Sequence, residues 1–201
     1  MHHKSFLLTG LGISLLGIVW FSQGVYIQAK ALLAQQLLQS AWQETLKARV
    51  QVKPWSWADT WPVARLTVAS QAVDMIILEG ASGSSLAFAP GHLQGTAAPG
   101  DPGISLISAH RDTHFSFLRH LKLGDSMRVQ NSRGEISEYE VMSMTVKDAS
   151  EVPLPQPTSN RGIMLVTCYP FDSLRAGGNL RYIVYATEKD SDLRPVLSGD
   201  I

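Results

Sequence analysis

The chain holds one cysteine, Cys168, at the end of a short apolar run, Ile163-Met-Leu-Val-Thr167, that Pro170 closes off. Such a run reads as a buried strand of five or six residues, with a thiol held at the mouth of the following loop. Strand side chains alternate, so Met164, Val166 and Cys168 share one face and Leu165 and Thr167 the other. Thirteen positions later Arg181 stands inside a second apolar run, Leu180-Arg-Tyr-Ile-Val-Tyr-Ala186, where a guanidinium without a partner anion is hard to explain as packing. Upstream, Ile104-Ser-Leu-Ile-Ser-Ala109 is a further strand and ends in His110. The three residues share one chemical logic. A thiolate attacks a carbonyl, an imidazole supplies the proton to the leaving amine, and a fixed cation steadies the bound peptide or the developing oxyanion. Each also has an inert reading: a buried thiol as packing, a strand-terminal histidine as structure, an arginine paired with Asp112 or Glu188. His110-Arg-Asp-Thr-His114 further suggests a metal site, but its spacing matches no ligand signature and leaves Cys168 unexplained.

The rest of the chain must position these groups. From residue 55 onward the pattern is one of strands and turns. Trp55-Ser-Trp-Ala-Asp-Thr-Trp-Pro62 leads in, and strands are expected over 63–68 and 73–78. Residues 87–102 read as a Gly/Pro-rich loop before the histidine strand. Phe115, Leu118, Leu121 and Leu123 fall at near-helical spacing and predict one short helical turn. Met127-Arg-Val129 and residues 138–142 flank Asn131-Ser-Arg-Gly134, a hairpin signal, and residues 145–147 extend the second strand. Val152-Pro-Leu-Pro-Gln-Pro-Thr158 is a proline-stiffened loop into the cysteine strand. About eight short strands with little helix predict a mainly β fold, a closed or nearly closed barrel with short helices.

The N-terminal quarter differs. Residues 5–29 carry no charge and residues 6–20 are almost wholly apolar. As a helix this stretch reaches roughly 37 Å, enough for a hydrocarbon core of about 30 Å. Trp20, Phe21 and Tyr26 suit an interfacial aromatic belt. The expectation is an uncleaved transmembrane signal anchor over 6–27 after a short tail, 1–5. Ala29-Lys-Ala31 offers the rival of a cleaved signal peptide. Residues 28–58 read as a juxtamembrane helix and linker, rich in helix formers and ended by Pro54. The β domain occupies 59–189 and a tail 190–201 follows. With 17 basic and 17 acidic residues in 201 and no basic cluster, nucleic acid is not an expected partner. One cysteine permits no internal disulfide.

Leu165-Val-Thr-Cys168, with Arg181 downstream and strand-terminal His110 upstream, resembles the active-site signature of the sortases. The likeness runs from Asp59 to Lys189. Trp61-Pro-Val-Ala-Arg-Leu66 is similar to the family's first strand and Pro90-Gly-His92 to its first helical loop. Ala109-His-Arg-Asp-Thr-His-Phe115, followed by Leu118, Leu121 and Gly124-Asp125, is similar to the histidine motif of class D-like and class E-like members. The resemblance is nearest to sortases of Gram-negative bacteria. It implies a cysteine transpeptidase in which Cys168 forms a thioacyl intermediate, His110 is the general acid/base, and Arg181 positions substrate or stabilises the oxyanion. Thr167 would be the motif threonine, and Ala109 stands where a glycine is common. The loop over 152–161 would line the groove for a sorting motif. Thr167, Ala109, Val152, Pro153 and Leu154 are accordingly the expected substrate-binding residues. No acidic cluster suggests a calcium site, so no metal or cofactor is expected. The implied partners are a protein carrying a C-terminal sorting motif, an amine acceptor of unspecified identity or water, and the membrane through the N-terminal helix. The implied location is the bacterial inner (cytoplasmic) membrane, single-pass, with the catalytic domain periplasmic. Two alternatives stand beside this: an L,D-transpeptidase-like peptidoglycan enzyme, and a non-enzymatic membrane-tethered β-domain that binds a peptide partner.

Overall fold

Residues 163–166 form a continuous apolar run because their strand is covered on both faces. The computed structural model describes residues 2–173 and 177–189, and only the backbone of 2–9, 11, 13 and 84. The expected tail over 190–201 lies outside the described residues. Eight strands close a barrel: β1 (Pro62–Val68), β2 (Val73–Glu79), β3 (Gly91–His92), β4 (Gly103–Ser108), β5 (Ser126–Asn131), β6 (Ile136–Asp148), β7 (Arg161–Cys168) and β8 (Leu180–Glu188). Around the barrel they run β1-β2-β3-β4-β7-β8-β6-β5, and β5 pairs back onto β1. The pairs β4–β7 and β2–β3 are parallel; the others are antiparallel. Parallel strands need both faces covered, which accounts for β7 being buried from Gly162 to Thr167.

The expected closed barrel forms, although its eight strands are not quite the expected ones. As expected, residues 145–147 extend the strand over 138–142; both lie in β6, whose register slips between Val141 and Ser143. A bulge of this kind interrupts the alternation without ending the strand. The eighth strand is β3, two residues long and hidden in the Gly/Pro-rich stretch. Gly91 makes it possible: a Cβ there would lie 2.2 Å from the Gly80 carbonyl oxygen. The expected helical turn is a 3-10 turn over Ser116–His120 that buries Phe117 and Leu118.

Two apolar layers flank the strands that carry the chemistry. Inside the barrel, Leu66, Ile77, Ile107, Tyr139, Leu165 and Val184 are within one core and inaccessible to solvent. Burying each aliphatic side chain contributes about 1.5–3 kcal/mol. Outside, Leu106, Met164, Val166 and Ile183 form a second cluster that Leu93, Ile104 and Val152 partly cover.

Helix α1 (His2–Ala48) runs without a break through the expected anchor segment and the helical part of the expected juxtamembrane segment. It stops well before Pro54. Arg49 adopts a left-handed φ of 58°, its N–H bonds the Thr45 carbonyl at 2.9 Å, and the Thr45 hydroxyl accepts from Val52 at 3.3 Å. The chain divides into two compact units, residues 1–37 and 38–201. In the second, Leu38, Trp42 and Leu46 of α1 pack with Ile76, Leu78 and Ala89. Part of the expected juxtamembrane helix thus packs with the barrel. The expected transmembrane span over 6–27 is helical throughout. Among the described residues, however, no helix is long and apolar enough to cross a membrane. From Ser14 onward Gly17, Ser22, Gln23, Gly24 and Gln28 dilute the apolar run, and the side chains of 6–9, 11 and 13 lie outside the described residues.

Candidate active site

Register brings the three chemical residues into one row. On the parallel pair, Ser108 of β4 lies level with Val166 of β7. The pairing continues past the strand end: the Ala109 N–H donates to the Val166 carbonyl at 3.3 Å, and the Thr167 hydroxyl donates to the Ala109 carbonyl at 2.7 Å. His110 therefore leaves β4 level with Cys168. On the other side of β7 the antiparallel register pairs Cys168 with Arg181 of β8. Three neighbouring strands each bring one candidate residue to the same end of the barrel.

Alternation decides which face they use. Ala109, Leu165 and Val184 belong to the inner core, whereas Leu106, Met164, Val166 and Ile183 form the outer cluster. His110, Cys168 and Arg181 have the parity of the outer set. His110 is exposed, and Cys168 and Arg181 are half-buried. The outer cluster thus makes an apolar floor that leads along β4 and β7 to the thiol.

Local bonds fix each group. The Phe115 N–H donates to the His110 carbonyl at 3.0 Å, and Phe115 is sealed in the core edge-on to Phe117 at 6.0 Å. His114 is half-buried, and burial pushes its imidazole below the usual histidine range. A bond to the Phe88 backbone opposes that shift, and the nearby His110 adds to it. His120 is exposed at the end of the 3-10 turn. Arg181 donates through Nη1 to the carbonyls of Gly178 at 2.7 Å and Leu180 at 3.0 Å. Among the described residues Arg181 makes no ion pair, and Glu188 pairs instead with Arg161 at 3.2 Å. Asp148 sits below the usual carboxylate range, chiefly through Ser150, with Arg181 a lesser cause.

The expected substrate-binding residues separate into two groups. Thr167 and Ala109 are 2% and 6% exposed and belong inside, so they tie the two strands together rather than present side chains to solvent. Val152 packs on the outer cluster, and Pro153 and Leu154 are exposed. The floor residues Ile104, Leu106 and Ile183 went unnoticed in the sequence, although the alternation along 104–110 already set Ile104, Leu106 and His110 on one face. Among the described residues no group of three or more His, Cys, Asp or Glu side chains is placed to hold a metal.

The model of the sortase domain family matches residues 66–189, more than half of the chain and all three residues of the row. The chain belongs to the sortase family. Its sequence is similar to Sortase D of Bacillus subtilis, 31% identical over 113 residues, which are 56% of this chain and 56% of that protein. The match therefore spans little more than half of that relative's length. Among solved sortases, the fold resembles a sortase D5 transpeptidase of Clostridium perfringens (TM-score 0.62, 23% identity, 78% of this chain and 96% of that one). It also resembles sortase C-1 of Actinomyces oris (TM-score 0.56, 29% identity, 64% and 72%). A class D-like sortase fits these likenesses. Family membership sets aside the L,D-transpeptidase alternative.

Proposed function

We propose that this sortase is a cysteine transpeptidase that cleaves a C-terminal sorting motif in a partner protein and transfers the acyl group to an amine or to water. The observation that carries the reading is the row His110–Cys168–Arg181 at one end of three paired strands. In this mechanism the Cys168 sulfur, as thiolate, attacks the scissile carbonyl carbon. The tetrahedral oxyanion collapses, the C–N bond breaks, and His110 gives its proton to the departing amine. The thioester is then attacked by an acceptor amine whose proton returns to His110; the C–S bond breaks and Cys168 leaves as the thiolate. Arg181 uses one nitrogen on its own loop, so its remaining N–H donors are the groups that would steady the substrate carbonyls or the oxyanion. The apolar floor beside Cys168 suits an extended peptide with apolar side chains, with Val152, Pro153 and Leu154 along one rim.

Membrane attachment belongs to the same proposal: a single-pass anchor over 6–27 would hold the catalytic domain outside the cytoplasm, at the inner membrane. Its support is the uncharged stretch over 5–29. Alkaline carbonate extraction tests it, and a mature N-terminus at Leu32 would sink it. For the chemistry, the full chain in detergent is incubated with a peptide library and examined by mass spectrometry. An acyl adduct on Cys168 and one recurrent cleaved bond are expected. A non-enzymatic binding domain would retain peptides without ever acylating the thiol.

A further inference from the structure

We propose that Arg111 is a positioning residue that, with Arg119, clamps the segment after the nucleophile against the segment after the histidine; this rests on the transpeptidase reading above. The two functional residues end strands, so their spacing depends on what the chain does next. After Cys168, the Tyr169 N–H donates to the Leu180 carbonyl at 3.0 Å and completes the last rung of β8. Then Tyr169, Phe171 and Tyr182 cluster, with Phe171 5.2 Å from Tyr182 and 6.1 Å from Tyr169. Phe171 and Tyr182 pack on the barrel core. After His110, the chain runs through Arg111 into the 3-10 turn that buries Phe117 and Leu118.

Both arginines of this second segment reach back to the first. Arg111 Nη2 donates to the Ser173 carbonyl at 2.9 Å. Arg119 Nη1 donates to Asp172 Oδ1 at 2.9 Å, and its guanidinium carbon lies 4.9 Å from the Phe171 ring centre. The contacts are not equal. Arg119 and Asp172 are 34% and 88% exposed, where an ion pair contributes little. Arg111 is 7% exposed, and a buried guanidinium donating to a carbonyl makes a strong, directional bond. Because the acceptor is main chain, no side-chain change at Ser173 abolishes the bond. Only Arg111 can be altered. It directly follows His110, so its anchorage transmits to the imidazole. A shift of about 1 Å between reacting groups can cost on the order of 10²-fold in rate. A planar fork holds one orientation where a lysine ammonium holds several.

The test compares the full chain with Arg111→Gln, Arg111→Lys and Arg119→Gln, all normalised to the Cys168 thiol that iodoacetamide titrates in folded protein. Arg111→Gln is expected to lower kcat roughly 10- to 100-fold with KM within about twofold. Arg111→Lys should recover part of the loss, and Arg119→Gln should cost only about two- to fivefold in kcat. A fold-stabilising role alone would lower Tm and leave kcat per titratable thiol unchanged, and that result overturns the clamp. Should Arg111→Gln fail to fold, Arg119→Gln decides: an unchanged kcat overturns the proposal and a fall supports it. If the unaltered chain cleaves no peptide, the transpeptidase reading fails separately. The clamp is then judged on the His110 imidazole resonance. Alkylating Cys168 should shift it in the unaltered chain and at least about twofold less in Arg111→Gln or, if that does not fold, Arg119→Gln; equal shifts overturn the clamp.

Discussion

The two faces of the β4–β7–β8 sheet are built from the same kinds of residue and behave differently. Inside, Ile107, Leu165 and Val184 are at 0% exposure and meet side chains from across the closed barrel. Outside, Leu106, Met164, Val166 and Ile183 are 4–7% exposed and pack with Ile104 of β4 and with Leu93 and Val152 from flanking loops. A closed barrel can seal only its interior; its outer surface is covered only where loops fold over it. The inner face thereby gives rigidity and the outer face gives access. Alternation transfers one property to the other, since Thr167 inside locks the register that places Cys168 outside.

The most severe way to separate the two faces is at the thiol itself. Cys168→Ala removes one small group from a half-buried strand end, so turnover should vanish while Tm stays within a degree or two of the unaltered protein, roughly. Substantial cleavage by that variant would take Cys168 out of the mechanism. Next comes the choice among histidines. His110→Gln should leave almost no activity, whereas His114→Gln and His120→Gln should retain measurable turnover, because neither stands level with Cys168 on β4. Steady-state rates on one peptide rank them, and the opposite order would move the site.

Arg181 is expected to lie below these in effect. Arg181→Ala should reduce kcat/KM roughly 10²–10³-fold, the scale of losing an oxyanion donor, and Arg181→Lys should fall most of the way with it. Both should keep an alkylatable thiol. A loss confined to Tm would return Arg181 to a structural role.

Smaller effects sharpen the comparison directly. Leu165→Ala, on the inner face, should cost about 2–5 kcal/mol of stability in urea unfolding. Val152→Ala, over the outer cluster, should cost about 1 kcal/mol or less and act instead on KM for the peptide. Equal destabilisation by the two would mean the outer face is as much a core as the inner. The smallest effect concerns His114. Its folded-state pKa is depressed, mainly by burial, so the unfolded chain binds more protons there. The associated stability should be present above the unfolded histidine value of about 6.5 and lost as pH falls through the lower folded value. His114→Gln should flatten that limb of the stability–pH curve.

The amino-acid pattern alone pointed to the β class, to a closed or nearly closed barrel and to Cys168, His110 and Arg181 as candidates for chemistry, because the signals for strands and for unusual residues within them are local. Ile163–Val166 is apolar at every position, which is what a strand covered on both faces requires, and the lone cysteine and the arginine in an apolar run stand out by composition. The spacing of Phe115, Leu118 and Leu121 also predicts a short helical turn after His110, whose 3-10 type only the structure shows. The sequence did not yield β3, whose two residues carry no pattern and exist because Gly91 lets the backbone pass Gly80. Nor did it yield the slip in register between Val141 and Ser143 inside β6, since a bulge is seen only in the pairing with β8. The family resemblance places Thr167 and Ala109 among the substrate-binding residues, whereas alternation turns both side chains inward. The anchorage of Arg111 on Ser173 and of Arg119 on Asp172 joins residues 62 and 53 positions apart. Local pattern fixes which face a side chain takes. Only the pairing of β7 with β4 on one side and β8 on the other brings their ends together, and that sets which residues meet.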